Sequence, residues 1–129
     1  KSLGIKRAIK LPVSAPFHCG LMKKAAYDME EHLNSLEVLS PNIILINNVD
    51  ALPISDPLKI KKSLIKQITK TVRWRESVHN MCNLGVSSFI ELGAGNVLSG
   101  LVKRINKNVE SISIQNVNDI ENFVNNLER

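Results

Sequence analysis

Aromatic side chains are scarce in this 129-residue sequence: one Trp, one Tyr and three Phe, 4% of the chain. A stacking platform for single-stranded nucleic acid needs several such rings among its cations, so no nucleic-acid partner is expected. Cysteine is scarcer still. Cys19 and Cys82 lie far apart and in no Cys-x-x-Cys pair, and His18, His32 and His79 show no ligand spacing. That pattern argues against a disulfide framework and a thiolate metal site, and points to a reduced, cytoplasmic setting. Apolar runs are short: none approaches the roughly 20 residues that cross a bilayer, so no membrane association is expected. A charged-then-apolar-then-small leader pattern is missing, and Lys1 stands where a Met would start a chain. The expectation is a chain that begins inside a longer polypeptide or has been trimmed. Acidic residues are the minority charge, 12 against 17 Lys and Arg, for a net +5. Such a field favours acidic partners. The last absence is chemical: no Gly-x-Ser-x-Gly nucleophile elbow occurs anywhere.

What is present reads as an α/β pattern. The length suits one domain with a real core, and 43% hydrophobic with 22% charged residues is ordinary for a globular protein. Residues 5–13 read as a strand and 20–36 as a helix, with Leu21, Ala25, Met29, His32 and Leu33 on its inward face. Ile43-Ile44-Leu45-Ile46 has the continuous apolar character of a strand buried on both faces of a parallel sheet, and Asn47-Asn48-Val49-Asp50 ends it in turn chemistry. Asp56-Pro57 marks a helix start, with Leu58, Leu64, Ile65 and Ile68 inward. A helix over 74–84 stops at Gly85, and 88–92 is a strand. Gly93-Ala94-Gly95 then leads into a helix over 96–105, a strand over 112–114 and a helix over 119–127. Alternating strands and helices imply a layered α/β fold with mostly parallel pairing, but three or four short strands are too few to complete such a sheet. The chain therefore reads as part of a larger α/β domain.

Three features carry chemistry. His18 follows an apolar run and a proline-bounded turn, Leu11-Pro12-Val13-Ser14-Ala15-Pro16-Phe17-His18, just ahead of a helix. A histidine fixed there is either a general acid and base at a pocket rim or a residue that caps or packs against the helix. As a base it needs a partner on its second ring nitrogen, and no Asp or Glu follows closely; Pro16 and the Ser14 hydroxyl are candidates for fixing its loop. Gly93-Ala94-Gly95 has the look of a phosphate cradle, but Leu98 takes the place of the third glycine, which favours a tight strand-to-helix turn. Lys59, Lys61, Lys62, Lys66, Lys70, Arg73 and Arg75 form a dense basic run, whose ordinary explanation is a solvated helix face. Cys82 reads as a buried small apolar residue.

Four segments taken in order resemble the malonyl-CoA:acyl-carrier-protein transacylases. They are Leu11-Pro12-Val13-Ser14-x-Pro16-x-His18 with Leu21-Met22; Asn47-Asn48-Val49-Asp50-Ala51; Gln67 with Val72-x-Trp74; and Glu91-Leu92-Gly93-x-Gly95-x-Val97-Leu98-x-Gly100-Leu101. The resemblance covers about residues 8–127 and corresponds to the C-terminal part of that family. It implies an α/β-hydrolase-like acyltransferase domain, closed by residues 14–129, with residues 1–13 forming the last strand of a ferredoxin-like small subdomain. It also implies that His18 is the general base and acid of a Ser-His pair, and that the Gln67 main-chain carbonyl orients it. The implied reaction is malonyl transfer from malonyl-CoA to acyl carrier protein by a ping-pong mechanism in fatty acid synthesis, with no cofactor. In that family the serine elbow and a malonyl-binding arginine precede these residues, so a serine-bearing N-terminal portion is an implied partner. The 129 residues alone are expected to be inactive; the alternative is a non-catalytic fragment or binding module for acyl carrier protein. Lys70-Thr71 stands where the family often has Asn-Pro, and Ala94 where it often has Pro.

Overall fold

The computed structural model describes Gly4 and residues 13–127. The strand expected over 5–13, and with it the small-subdomain assignment of 1–13, lies outside the described residues apart from Val13, which is not in a strand. A single 3-10 turn, Gly20–Met22, opens α1, Lys23–Ser35. Then come β1, Leu45–Ile46; β2, Pro53–Ile54; α2, Pro57–Thr69; α3, Trp74–Asn83; β3, Ser88–Leu92; α4, Val97–Ile105; β4, Glu110–Ile114; and α5, Val117–Leu127.

Local chemistry sets the helix ends. Asp56 caps α2, its Oδ1 accepting from the Lys59 N–H at 2.7 Å, and Pro57 occupies the first helical position, where its missing N–H costs nothing. α3 ends in a Schellman arrangement around Gly85, whose φ is +93°. The Val86 N–H reaches the Met81 carbonyl at 3.1 Å and the Gly85 N–H reaches that of Cys82 at 3.0 Å. Cys82 itself is half-buried, with Asn106 Nδ2 donating to its sulfur at 3.4 Å, so the fully buried position expected for it is not found.

Two small sheets result, where the sequence pattern implies mostly parallel pairing in one. β3 and β4 pair in parallel, Ser88 opposite Glu110 through Leu92 opposite Ile114, with α4 as the crossover. One face of this pair packs under α4 and α3, around Val102, Ser99 and Trp74. β1 and β2 form a two-residue antiparallel ladder instead. The long buried strand expected over 43–46 is therefore corrected: only Leu45–Ile46 is a strand, and Ile43 and Ile44 are 81% and 68% exposed. The run is apolar, but β2 pairs only with its last two residues, and no layer covers Ile43 and Ile44 among the described residues.

Helix faces also differ from their periodicity. α1 buries Leu33 alone, while Leu21 and Met29 stay exposed. α2 buries Ile60 and Ser63, and Leu58 and Leu64 face solvent. α1 and α2 pack on each other, and each leaves part of its apolar arc unmet. Such an arc specifies what a helix is able to bury, not which neighbours are there.

Candidate active site

The turn before α1 places His18 at the surface. Its φ is +58°, a left-handed value that costs a non-glycine residue about 1–2 kcal/mol and that histidine adopts more readily than most. The turn is held by Phe17 N–H to the Ala15 carbonyl at 2.9 Å, Cys19 Sγ to the Pro16 carbonyl at 3.1 Å and Met22 N–H to the Cys19 carbonyl at 3.1 Å. Pro16 thus takes part through its carbonyl, whereas the Ser14 hydroxyl makes no hydrogen bond among the described residues.

The structure brings His18 and Gln67 together across 49 positions of sequence: His18 Nδ1 lies 2.8 Å from the Gln67 carbonyl oxygen. A carbonyl only accepts, so Nδ1 carries the proton and Nε2 is left with its lone pair. The choice of Gln67 has a reason in helix geometry. α2 ends at Thr69, and the Lys70 N–H closes on the Lys66 carbonyl at 2.9 Å. Gln67 then owns the first carbonyl past the last helical bond, one of the four that every helix leaves unsatisfied. The imidazole N–H fills that vacancy, so a helix end holds the ring.

The joint between α2 and α3 fixes that helix end by tying Arg73, read in the sequence only as part of the basic run, and Asn80, given no role there, to the turn over 47–51. Arg73 donates from its backbone N–H to the Asn48 carbonyl at 2.8 Å and from Nη1 to the Asp50 carbonyl at 3.2 Å. Asn80 Nδ2 donates to the Ala51 carbonyl. Asn47 Oδ1 accepts from the N–H groups of Val49 and Asp50 at 3.1 and 2.8 Å, an Asx turn that the Asn-Asn-Val-Asp run already signals. Ala51, fully buried at φ +58°, sits at the centre of this clamp. Lys70-Thr71 occupies the linker directly ahead of Arg73.

The glycine turn is not an anion cradle. Gly93 and Gly95, at φ +136° and +94°, direct their N–H groups to the Ile114 carbonyl at 3.1 Å and Gln115 Oε1 at 3.0 Å. The N-terminal amides of α4 are engaged as well: Glu91 accepts from Leu98 and Ser99 at 3.1 and 2.8 Å. These bonds, that from Ser99 foremost, hold the Glu91 carboxyl below the usual glutamate range. Glu91 thereby replaces Asn96, which makes no side-chain cap. His32 and His79 are exposed, and no group of three or more metal-ligating side chains occurs among the described residues.

No family model matches the chain. A malonyl CoA-acyl carrier protein transacylase of Bacillus subtilis is 41% identical over 121 residues, 94% of this chain and 38% of that protein. An acyl carrier protein S-malonyltransferase from Vibrio cholerae superposes with a TM-score of 0.86 at 46% identity, covering 95% of this chain and 40% of that one. A malonyl-transacylase solved in complex with its type II PKS acyl-carrier protein gives a TM-score of 0.88 at 34% identity, over 97% of this chain and 40% of that one. The chain spans about two fifths of the length of the relatives it matches. Over nearly all of its own length, then, it is homologous to a portion of the malonyl-CoA:acyl-carrier-protein transacylases.

Proposed function

We propose that these residues are the C-terminal, histidine-bearing half of a Ser-His acyltransferase site that moves malonyl from malonyl-CoA to acyl carrier protein. The observation that carries the reading is the His18–Gln67 contact, which leaves Nε2 as a base aimed away from its anchor. In the proposed cycle Nε2 takes the proton of a serine hydroxyl supplied from outside these 129 residues, as the serine oxygen attacks the malonyl thioester. The C–S bond breaks, and the departing CoA thiolate takes that proton back from the imidazolium. Nε2 next accepts the proton of the carrier's pantetheine thiol, whose sulfur attacks the malonyl-serine ester. The serine oxygen leaves and is reprotonated. At each step the Gln67 carbonyl keeps the ring in one tautomer and one orientation.

The test is malonyl transfer by the 129 residues with and without a separately supplied serine-bearing N-terminal portion of a homologous transacylase. Transfer is expected only in the mixture, falling about 10²–10⁴-fold in His18→Ala. Gln67→Ala should change the rate by about twofold or less, because the acceptor is main chain. Transfer by the chain alone that is lost in His18→Ala would overturn the shared-site reading. The absence of a serine elbow from these residues favours a second reading, a carrier-binding module without chemistry. It requires carrier binding that His18→Ala leaves intact and no transfer in the mixture.

A further inference from the structure

Arg73 belongs to the basic run by sequence, but the structure takes it out of that run and ties it into a distant turn. Its backbone N–H donates to the Asn48 carbonyl at 2.8 Å and its Nη1 to the Asp50 carbonyl at 3.2 Å. Nε donates to Glu76 Oε1 at 3.4 Å. Arg75, two residues on, is exposed and makes no ion pair among the described residues. The turn that Arg73 grips is shaped from within. Asn47 Oδ1 gathers the N–H groups of Val49 and Asp50, and the Ala51 N–H closes on the Asn47 carbonyl at 3.0 Å. Of the two side-chain bonds, that to Asp50 matters more. The Glu76 pair joins two half-exposed groups three residues apart, a kind that contributes little. Only Lys70, Thr71 and Val72 separate the end of α2 from Arg73, so from Thr69 to Arg73 the chain reaches at most about 14 Å. Where Arg73 is held therefore limits where the last turn of α2, and the Gln67 carbonyl in it, can lie.

We propose that Arg73 is a positioning residue for the histidine; the proposal rests on the transacylase reading above. By pinning the α2–α3 joint to the Asn48–Asp50 turn, its side chain keeps the Gln67 carbonyl against His18 Nδ1. That contact leaves little tolerance. His18 stands at the surface at a φ of +58°, and the bond to Gln67 is its ring's one hydrogen bond among the described residues. A carbonyl that drifts by about an ångström no longer holds the Nδ1 proton, and the ring is then free to rotate and to exchange tautomers. In the other tautomer the proton sits on Nε2, and the outer nitrogen takes no proton from a hydroxyl or thiol. Arg73 touches neither the ring nor a reacting atom; it acts through Gln67. A guanidinium suits this task, because its rigid fork holds the Asp50 carbonyl and Glu76 at one fixed angle, which a lysine ammonium does not.

The test has two arms. In the first, the chain carries ¹⁵N-labelled histidine, and the His18 ring nitrogens are read by NMR at about pH 9, where imidazole is neutral. The parent is expected to hold its proton on Nδ1. Arg73→Ala should lower the ratio of the Nδ1–H to the Nε2–H form at least about tenfold, and Arg73→Lys should recover part of that loss. Two controls, Arg75→Ala for the loss of a neighbouring cation and Gly85→Ala for general destabilisation, should leave the ratio within about twofold of the parent. Should Arg73→Ala fail to fold, Asn47→Ala keeps Arg73 but loosens the carbonyls that it grips, and carries the same expectation. An unchanged ratio in the folded clamp variant, or an equal fall in either control, would overturn the proposal. In the second arm, the mixture with the serine-bearing portion transfers malonyl. Arg73→Ala should lower kcat about 10–100-fold and leave the malonyl-CoA Kd within about twofold. A Kd that rises in step with the loss of kcat would make Arg73 a substrate-binding residue and overturn its positioning role. The NMR arm needs no serine-bearing portion, so the two readings fail separately. No transfer by the parent mixture sinks the transacylase reading, and a ring unmoved in the clamp variant sinks the proposal whether or not malonyl is transferred.

Discussion

Two residues show how single side chains are set by distant atoms. His18 is legible from its proline-bounded turn; the contact of its Nδ1 with the Gln67 carbonyl is not. Spacing in sequence does not encode a contact 49 residues long; the expectation of Gln67 came through family resemblance. Glu91 was quoted only as part of a motif, and its capping of α4 was missed because the two amides it holds lie seven and eight residues on. That contact predicts a pH dependence. The folded chain binds the Glu91 proton less readily than the unfolded chain, so the contribution is complete above the ordinary glutamate value of about 4.3. It is lost as pH falls through the lower folded value. Glu91→Ala should lower the urea midpoint at pH 7, with a gap to the parent that narrows at about pH 3. An equal gap at both pH values would show that the charge of the carboxylate is not what stabilises α4.

At the scale of elements, starts and stops were the most readable features, since they depend on near neighbours. β3 falls on the expected residues, α2 starts at its Asp-Pro signal and α3 stops at Gly85. Burial was the least readable: the faces of α1 and α2 depend on which elements exist to meet them, and β2 is too short to leave a pattern. Two glycines separate backbone from packing. A Cβ at Gly85 or at Gly100 would meet no atom within 4 Å, so only conformation decides. Gly85 is held at φ +93°, and Gly85→Ala should cost about 1–2 kcal/mol. Gly100 lies within α4 at an ordinary helical φ, and Gly100→Ala should gain about 0.5–1 kcal/mol. Opposite shifts in the urea midpoint are expected; shifts of the same sign would place the cause in packing instead.

For the whole molecule the deciding quantity is area. The chain exposes 10356 Å², whereas a compact monomer of 14.4 kDa exposes about 6,800 Å². The excess, roughly 3,500 Å² on this chain alone, is more than one partner's share of an ordinary obligate interface, half of about 2,000–5,000 Å². Much of what is uncovered is apolar: Ile43 and Ile44 ahead of β1, Leu92 at 76% on the outer face of β3, and Val117 at 67% on α5. The incomplete sheet was already apparent from the sequence, as too few strands for the fold class; its exposed faces give that deficit a physical size. An added chain that covers them binds the folded form and not the unfolded one, and so raises the thermal midpoint by mass action. A serine-bearing portion of a homologous transacylase at a hundred times its dissociation constant should contribute about 2.7 kcal/mol, or about 10 °C for a chain of this size. The midpoint should climb further with its concentration, and binding of a hydrophobic dye should fall in step. A midpoint and dye signal indifferent to the added portion would mean that these faces are not its seat, and the shared site built on His18 would lose its structural basis.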